Sequence, residues 1–143
     1  MSLPRNPDFE ATVRASYARQ GLMRLLGAEL LAVAPGECTI AAAIRPETSQ
    51  QHGYAHAGLA WSLGDSAAGY AALSLRAASE EVLTVEMKIN LLAPAAGARL
   101  IAVGRVLRAG RRIMVVASDV NAEHGDRRIH VATLLGTMVA VPG

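Results

Sequence analysis

The stretch QQHGYAHAGLAWSLGDSAAGY, residues 50–70, sets two glutamines, two histidines and one aspartate among small and apolar residues. Asp65 is the member that needs explaining. A carboxylate in such surroundings must be solvated, paired or used, because a buried charge without partners is costly. In use, a carboxylate either takes a proton from water as a general base or attacks a carbonyl itself. The histidines suggest another chemistry. His52 with His56, and His124 with His130, invite a metal-pair reading, but neither pair has a carboxylate or cysteine companion at ligand spacing, so no metal is expected. His56 is expected instead to shape the turn ahead of a helix. Arg105, Arg108, Arg111 and Arg112 surround a hairpin in RVLRAGRRIMV. Such a basic turn is ordinarily solvated, and it also suits phosphate, which arginine binds through two parallel hydrogen bonds.

Composition narrows the classes. A chain of 143 residues is long enough to bury a real core and too short for two ordinary domains, so one domain over 1–143 is expected. With 52% hydrophobic and 18% charged residues it does not read as disordered. The net charge of +2 and pI near 9.1 come without a basic run of five residues, which points to a local anionic ligand rather than to nucleic acid. Phe9, Tyr17, Tyr54, Trp61 and Tyr70 form no stacking platform for single-stranded RNA. The N-terminal residues carry no signal-peptide pattern and no apolar run is long enough to span a bilayer, so a cytoplasmic protein without membrane partners is expected. Cys38, in the strand-like GECTIAAAI, reads as a small buried hydrophobe.

The chain changes period twice. Asn6 as a cap and Pro7 in the first turn predict an N-terminal helix within 1–21 that weakens at Gly21, with a short helical turn in LMRLL. AELLAVAPGECTIAAAI predicts a hairpin turning at Pro35-Gly36. Over 56–77 the apolar positions spread around nearly the whole circumference, which predicts a central helix enclosed by other structure. TVEMKINLL then alternates Thr84, Glu86, Lys88 and Asn90 against Val85, Met87, Ile89 and Leu91. Three more strands turn at Ala109-Gly110 and at His124-Gly125-Asp126, and the four strands are expected to form a meander. The class is α+β, an antiparallel sheet wrapped around one long helix.

This order, αββαββββ, together with HGYAHAGLAWSLGDSAAGY and TVEMKINLLAPA, resembles the hotdog-fold acyl-CoA thioesterases of the phenylacetate-degradation (PaaI-like) group, within the 4-hydroxybenzoyl-CoA thioesterase superfamily. The resemblance runs from about residue 22 to the end. The family pattern is Asn or Gln, five residues, His-Gly-Gly, and an acid further along the same helix. Gln50 stands at the amide position, His56-Ala57-Gly58 replaces His-Gly-Gly, Asp65 takes the acidic position, and Thr84 falls at the Ser/Thr position opening the next strand. Ala57 is the departure. The family uses a backbone N–H there, so a methyl group preserves the chemistry while narrowing access.

The resemblance implies hydrolysis of an acyl- or aryl-CoA thioester to free acid and CoA, with no cofactor because CoA is part of the substrate. The Ala57 N–H, with Gly58, would hold the developing oxyanion at the positive end of the helix. Asp65 would act as general base or nucleophile, Gln50 would orient substrate or water, and Thr84 would bond the water or the carboxylate. Tyr54, Leu59 and Trp61 would line the acyl pocket, with His56 beside it, and Arg111 and Arg112 would contact CoA. Ala57 and Asp65 are eight residues apart, roughly 12 Å along one helix. They cannot both touch one carbonyl. Two such helices lying antiparallel across a twofold axis would bring the start of one beside the middle of the other. The resemblance implies that homodimer, and a dimer of dimers, with composite active sites joined through the Thr84–Leu92 edge. Two other classes share the fold, acyl-thioester hydratases or dehydratases and a noncatalytic acyl-CoA-binding protein. The histidine–acid registers of the former are not convincingly present, and Asp65 with its neighbours argues against the latter.

Overall fold

Two-residue alternation builds six strands, and the Ala- and Gly-rich run between the second and third builds the one long helix. The computed structural model describes residues 2–143. Two short helices, α1 (Phe9–Ala18) and α2 (Gly21–Leu25), precede the hairpin β1 (Glu29–Ala34) and β2 (Glu37–Ala43). The central helix α3 (Ala57–Leu73) follows, and then β3 (Glu80–Leu91), β4 (Arg99–Ala109), β5 (Ile113–His124) and β6 (Arg127–Pro142). All six strands make one antiparallel sheet, in the order β1-β2-β4-β5-β6-β3. This is the expected hotdog arrangement, with α3 buried along the concave face.

Three expectations need correction. The four C-terminal strands are not one meander: β4, β5 and β6 follow one another, but β3 pairs with β6 and forms the far edge. The reason lies in Leu92–Ala98, which is too long for a tight hairpin and crosses the ends of β5 and β6. Val131 O accepts from Leu92 N and Glu123 O from Ala98 N, both at 2.8 Å. At the N-terminus, Asp8 occupies the cap position, and Asn6 instead accepts from Asp8 N (3.0 Å) and donates to Thr12 (2.9 Å). The central helix is also shorter than expected and less enclosed. Gly58, Ser62, Asp65 and Gly69, spaced as one helical stripe, stay partly open, because alanines and glycines mask which face is buried.

At Gly104 the helix meets the sheet backbone to backbone. A β-carbon at Gly104 of β4 would fall within the van der Waals envelope of the Ala67–Ala68 peptide. Next to this contact Ser118 Oγ of β5 donates to Gly64 O at 2.6 Å. Leu59, Leu63, Ala67 and Ala71 pack with Ile40, Leu100, Val120 and Leu134 around it. The far end is tied twice. Ser74 Oγ accepts from Gly36 N (2.8 Å), and the buried Arg76 donates to Gly110 O (3.1 Å) and Arg111 O (3.3 Å). Gly104→Ala is therefore expected to cost about 3 kcal/mol by overpacking, a fall of about 10 °C in melting temperature. An unchanged thermal melt would show that helix and strand are not in this contact.

Candidate active site

Asp65 lies mid-way along α3, half-buried, and Thr84 Oγ1 donates to its Oδ1 at 2.7 Å. Simple alternation would not bring Thr84 there. Met87 and Ile89 face the helix side, so Thr84 should share the outer face with Glu86 and Lys88. A β-bulge between Thr84 and Glu86 changes this: Thr84 pairs with Met138, Glu86 with the next residue Thr137, and Val85 is the extra residue. The bulge turns Thr84 inward beside the buried Met138. It also presses β3 onto Gly136, where a β-carbon would meet Glu86 O at 2.6 Å. Burial pushes the Asp65 carboxyl above its ordinary pKa, and the Thr84 hydrogen bond partly offsets that rise. A cavity of about 270 Å³ opens beside the pair, walled by Ser16 and Gln20 from the N-terminal segment, Ser66 and Tyr70 from α3, and Glu81 to Thr84 from β3. Sequence reasoning missed the four residues outside β3. Only the position of Ser66, next to Asp65, was a signal.

The second group assembles at the start of α3. Gln50 to Ala55 form a tight turn, closed by Gln50 N to Tyr54 O (2.8 Å) and Gly53 N to Gln50 O (3.0 Å), with Gly53 at φ +87°. His56 then caps the helix: its Nδ1 accepts from Gly58 N at 2.8 Å, and its carbonyl accepts from Leu59 N at 2.9 Å. Gly58 is therefore not a free second donor to an oxyanion. The Ala57 N–H has no acceptor among the described residues. Gln50, Tyr54, His56 and Ala57 line a common cavity of about 590 Å³, whose apolar wall comes from Leu91, Leu92, Pro94 and Val131. The crossing connection that breaks the meander supplies Leu92 and Pro94 of that wall.

Leu59 and Trp61 do not line this cavity. Leu59, two positions beyond Ala57, falls on the opposite side of the helix and is 4% exposed in the core. Trp61 packs against that core and donates to Met87 O at 3.1 Å. Arg111 and Arg112 occupy the β4–β5 turn, line neither cavity, and have no carboxylate partner among the described residues. Arg105 belongs elsewhere, paired with Asp119 at 2.6 Å. Among the described residues no three His, Cys, Asp or Glu side chains gather as metal ligands. One chain thus carries two separated groups, Asp65 with Thr84 and Ala57 with Gln50 and His56, each in its own cavity.

The model of the thioesterase superfamily matches residues 52–129, which takes in α3 with Ala57 and Asp65. The chain belongs to the thioesterase superfamily. It is similar in structure to a thioesterase family protein from Silicibacter pomeroyi, with 37% identity and a TM-score of 0.92 over 94% of this chain and 99% of that one. The E. coli PaaI protein, from the phenylacetic acid degradation operon, shares 19% identity at a TM-score of 0.86, over 97% of both chains. A Haemophilus influenzae thioesterase shares 18% identity at a TM-score of 0.79, over 89% of this chain and 87% of that one. No curated protein sequence matches the chain.

The raised pKa of Asp65 has a consequence for the stability of this thioesterase. Between the unfolded and folded values the folded protein binds more protons, so the stabilisation is full below the ordinary pKa and is lost as pH rises through the folded one. Asp65→Asn removes the charge and keeps an oxygen for Thr84. It is expected to melt higher than the parent at pH 7 and to lose that advantage below about pH 4. Paired melts across this range check it; coincident melting temperatures at every pH would mean that burying the charge costs nothing.

Proposed function

We propose that this thioesterase hydrolyses acyl-CoA thioesters in composite sites, each formed by Asp65 and Thr84 of one copy with Gln50, His56 and Ala57 of a second copy. The observation that carries this reading is the split of the site. The acid and the free helix-start N–H lie in different cavities of one chain, separated by roughly 12 Å of helix, whereas a thioester carbonyl needs both within hydrogen-bond reach. Antiparallel pairing of two α3 helices satisfies that need twice over, and β3 offers an unpaired sheet edge for it.

In such a site the substrate lies across the boundary between copies. The acyl group occupies the apolar cavity beside Tyr54, Leu91 and Pro94 of the second copy. Thr84 occupies Oδ1 of Asp65 and leaves Oδ2 to take a proton from water, a task the raised basicity suits. The water oxygen bonds to the carbonyl carbon, and the carbonyl oxygen becomes an oxyanion facing the Ala57 N–H at the positive end of its helix. Gln50, whose amide N–H groups have no acceptor among the described residues, orients the same oxygen. Because His56 Nδ1 is an acceptor, a neutral ring carries its proton on Nε2 and presents a further donor to the cavity. Collapse breaks the C–S bond, and the proton on Asp65 passes to the departing CoA sulfur. Arg111 and Arg112 meet the CoA phosphates, and no cofactor takes part.

The composite site has a direct test. Asp65→Asn alone, and Gln50→Ala with Ala57→Pro, which deletes the donor, are each expected to lower kcat/KM at least a hundredfold. Co-expressed with different tags, they should yield mixed dimers holding one intact site each and recover about a quarter of the parent activity overall. Folded mixed dimers no more active than either variant would sink the composite geometry. A single turnover in ¹⁸O water should leave Asp65 unlabelled if it acts as base; label in its carboxylate would make it the nucleophile.

A further inference from the structure

The acid-side cavity holds a polar wall that the proposed hydrolysis does not use. Gln20, at the junction of α1 and α2, reaches onto α3: its Nε2 donates to Tyr70 Oη at 2.8 Å, and its Oε1 accepts from Ser66 Oγ at 3.1 Å. All three line the cavity with Asp65, and Ser16 joins them one helical turn ahead of Gln20. Tyr17 packs edge-on against Tyr70, ring centroids 5.8 Å apart, which fixes the phenol. The trio brings more donors than it can satisfy. Gln20 has two amide hydrogens and Tyr70 and Ser66 one hydroxyl hydrogen each, while only two hydrogen bonds join them, so two hydrogens lack an acceptor within the trio whichever way round the amide is set.

We propose that Gln20, Tyr70 and Ser66 form a subsite for the amide groups of the pantetheine arm of CoA. This inference rests on the acyl-CoA reading above and assigns to it the part of the substrate on the thiol side. Three observations converge. The wall begins at the residue after Asp65 and runs one turn along α3, about 2–8 Å of axial rise, the range in which the first amide of the arm follows the thioester sulfur. Its unsatisfied N–H and O–H groups match amide carbonyls, and Ser16 and Glu81 across the cavity offer acceptors to amide N–H groups. An alkyl chain in the same place would desolvate those donors and return nothing. Finally, Val82 of the cavity wall pairs with Ala140, whose N–H donates to Arg112 O at 2.8 Å, so the β4–β5 turn lies two strands across from that wall. The Arg111–Arg112 turn thus stands where the phosphates at the far end of the arm would emerge. The acyl chain, the reacting carbonyl and the arm then follow one line, from the apolar cavity of one copy through the copy boundary and along the polar cavity of the other.

The test compares thioesters of one acyl group on three thiols: CoA, N-acetylcysteamine, which retains the first amide, and ethanethiol, which has none. In the parent, kcat/KM should fall at least tenfold from the N-acetylcysteamine to the ethanethiol ester. Gln20→Leu, similar in volume, should shrink that preference to within about twofold, mainly by raising KM for the amide-bearing substrates. Tyr70→Phe should act in the same direction and decides the matter if Gln20→Leu fails to fold. A parent that hydrolyses no acyl-CoA would remove the proposed function and this subsite with it. A parent that hydrolyses acyl-CoA, beside a folded variant of either residue that keeps the full preference for the amide, would overturn the subsite alone.

Discussion

The site depends on α3 meeting the backbone of the sheet at Gly104 with no side chain between them. Gly104 permits that approach, and the Ser118 hydroxyl on Gly64 O fixes the helix along its axis. A helix packed through side chains can shift by rotamer changes, but one seated on peptide groups has little freedom to do so. Both candidate groups are carried by this one element, the donor at its start and the acid at its middle. Ser74 and Arg76 then anchor its end to the β1–β2 and β4–β5 turns. The raised pKa of Asp65 comes mainly from burial, and the seating of the helix holds the carboxyl in that surrounding. Loosening the helix would admit water and return the carboxyl toward ordinary strength.

The start of α3 shows how one residue selects a donor. The first N–H groups of a helix have no partner inside it, and a helix start often presents several of them to an anion. Here the His56 ring takes Gly58 N–H and the His56 carbonyl takes Leu59 N–H, which leaves Ala57 N–H. The cap also fixes a tautomer, because a ring nitrogen that accepts cannot carry a proton. A protonated His56 would lose its hold on Gly58, so the shape of the donor and the charge of the ring are tied together.

Much of this was legible in the sequence, for physical reasons that differ by element. The turns at Pro35-Gly36 and His124-Gly125-Asp126 are local chemistry, and Gly36 and Gly125 take the positive φ angles such turns require. The spacing of Gln50, Ala57 and Asp65 is likewise local, and it already implied that one helix could not close the site alone. Thr84 was found by resemblance but placed on the wrong face by alternation, since a bulge adds one residue without any mark in its own strand. Its trace is Gly136, some fifty residues away, where β6 must leave room. The strand order was misread because consecutive strands were assumed to be neighbours, whereas Leu92–Ala98 carries the chain from β3 past β6 and β5 to β4. Leu59 was assigned to the pocket as an apolar residue of the motif stretch, but it lies half a helical turn from Ala57 and packs in the core. Gln20 lies outside the stretch that resembles the family, and nothing in its neighbours marks it.

The edge strand β3 carries both the bulge and the open side of the sheet. A long strand with one unpaired side is a liability in solution unless something covers it, and β3 also exposes Leu83 and Val85, each 58% accessible. A bulge is least costly at such an edge, because it disturbs one ladder instead of two. That bulge is what delivers Thr84 to Asp65. If a second copy covers β3, as proposed, the approach of its α3 and the aim of Thr84 are set by the same twelve-residue strand, and the oxyanion donor arrives in fixed register with the base. The acid would then gain its full desolvation only when the two copies join, so that Asp65 becomes a better base in the same step that supplies the group to stabilise the charge the base creates.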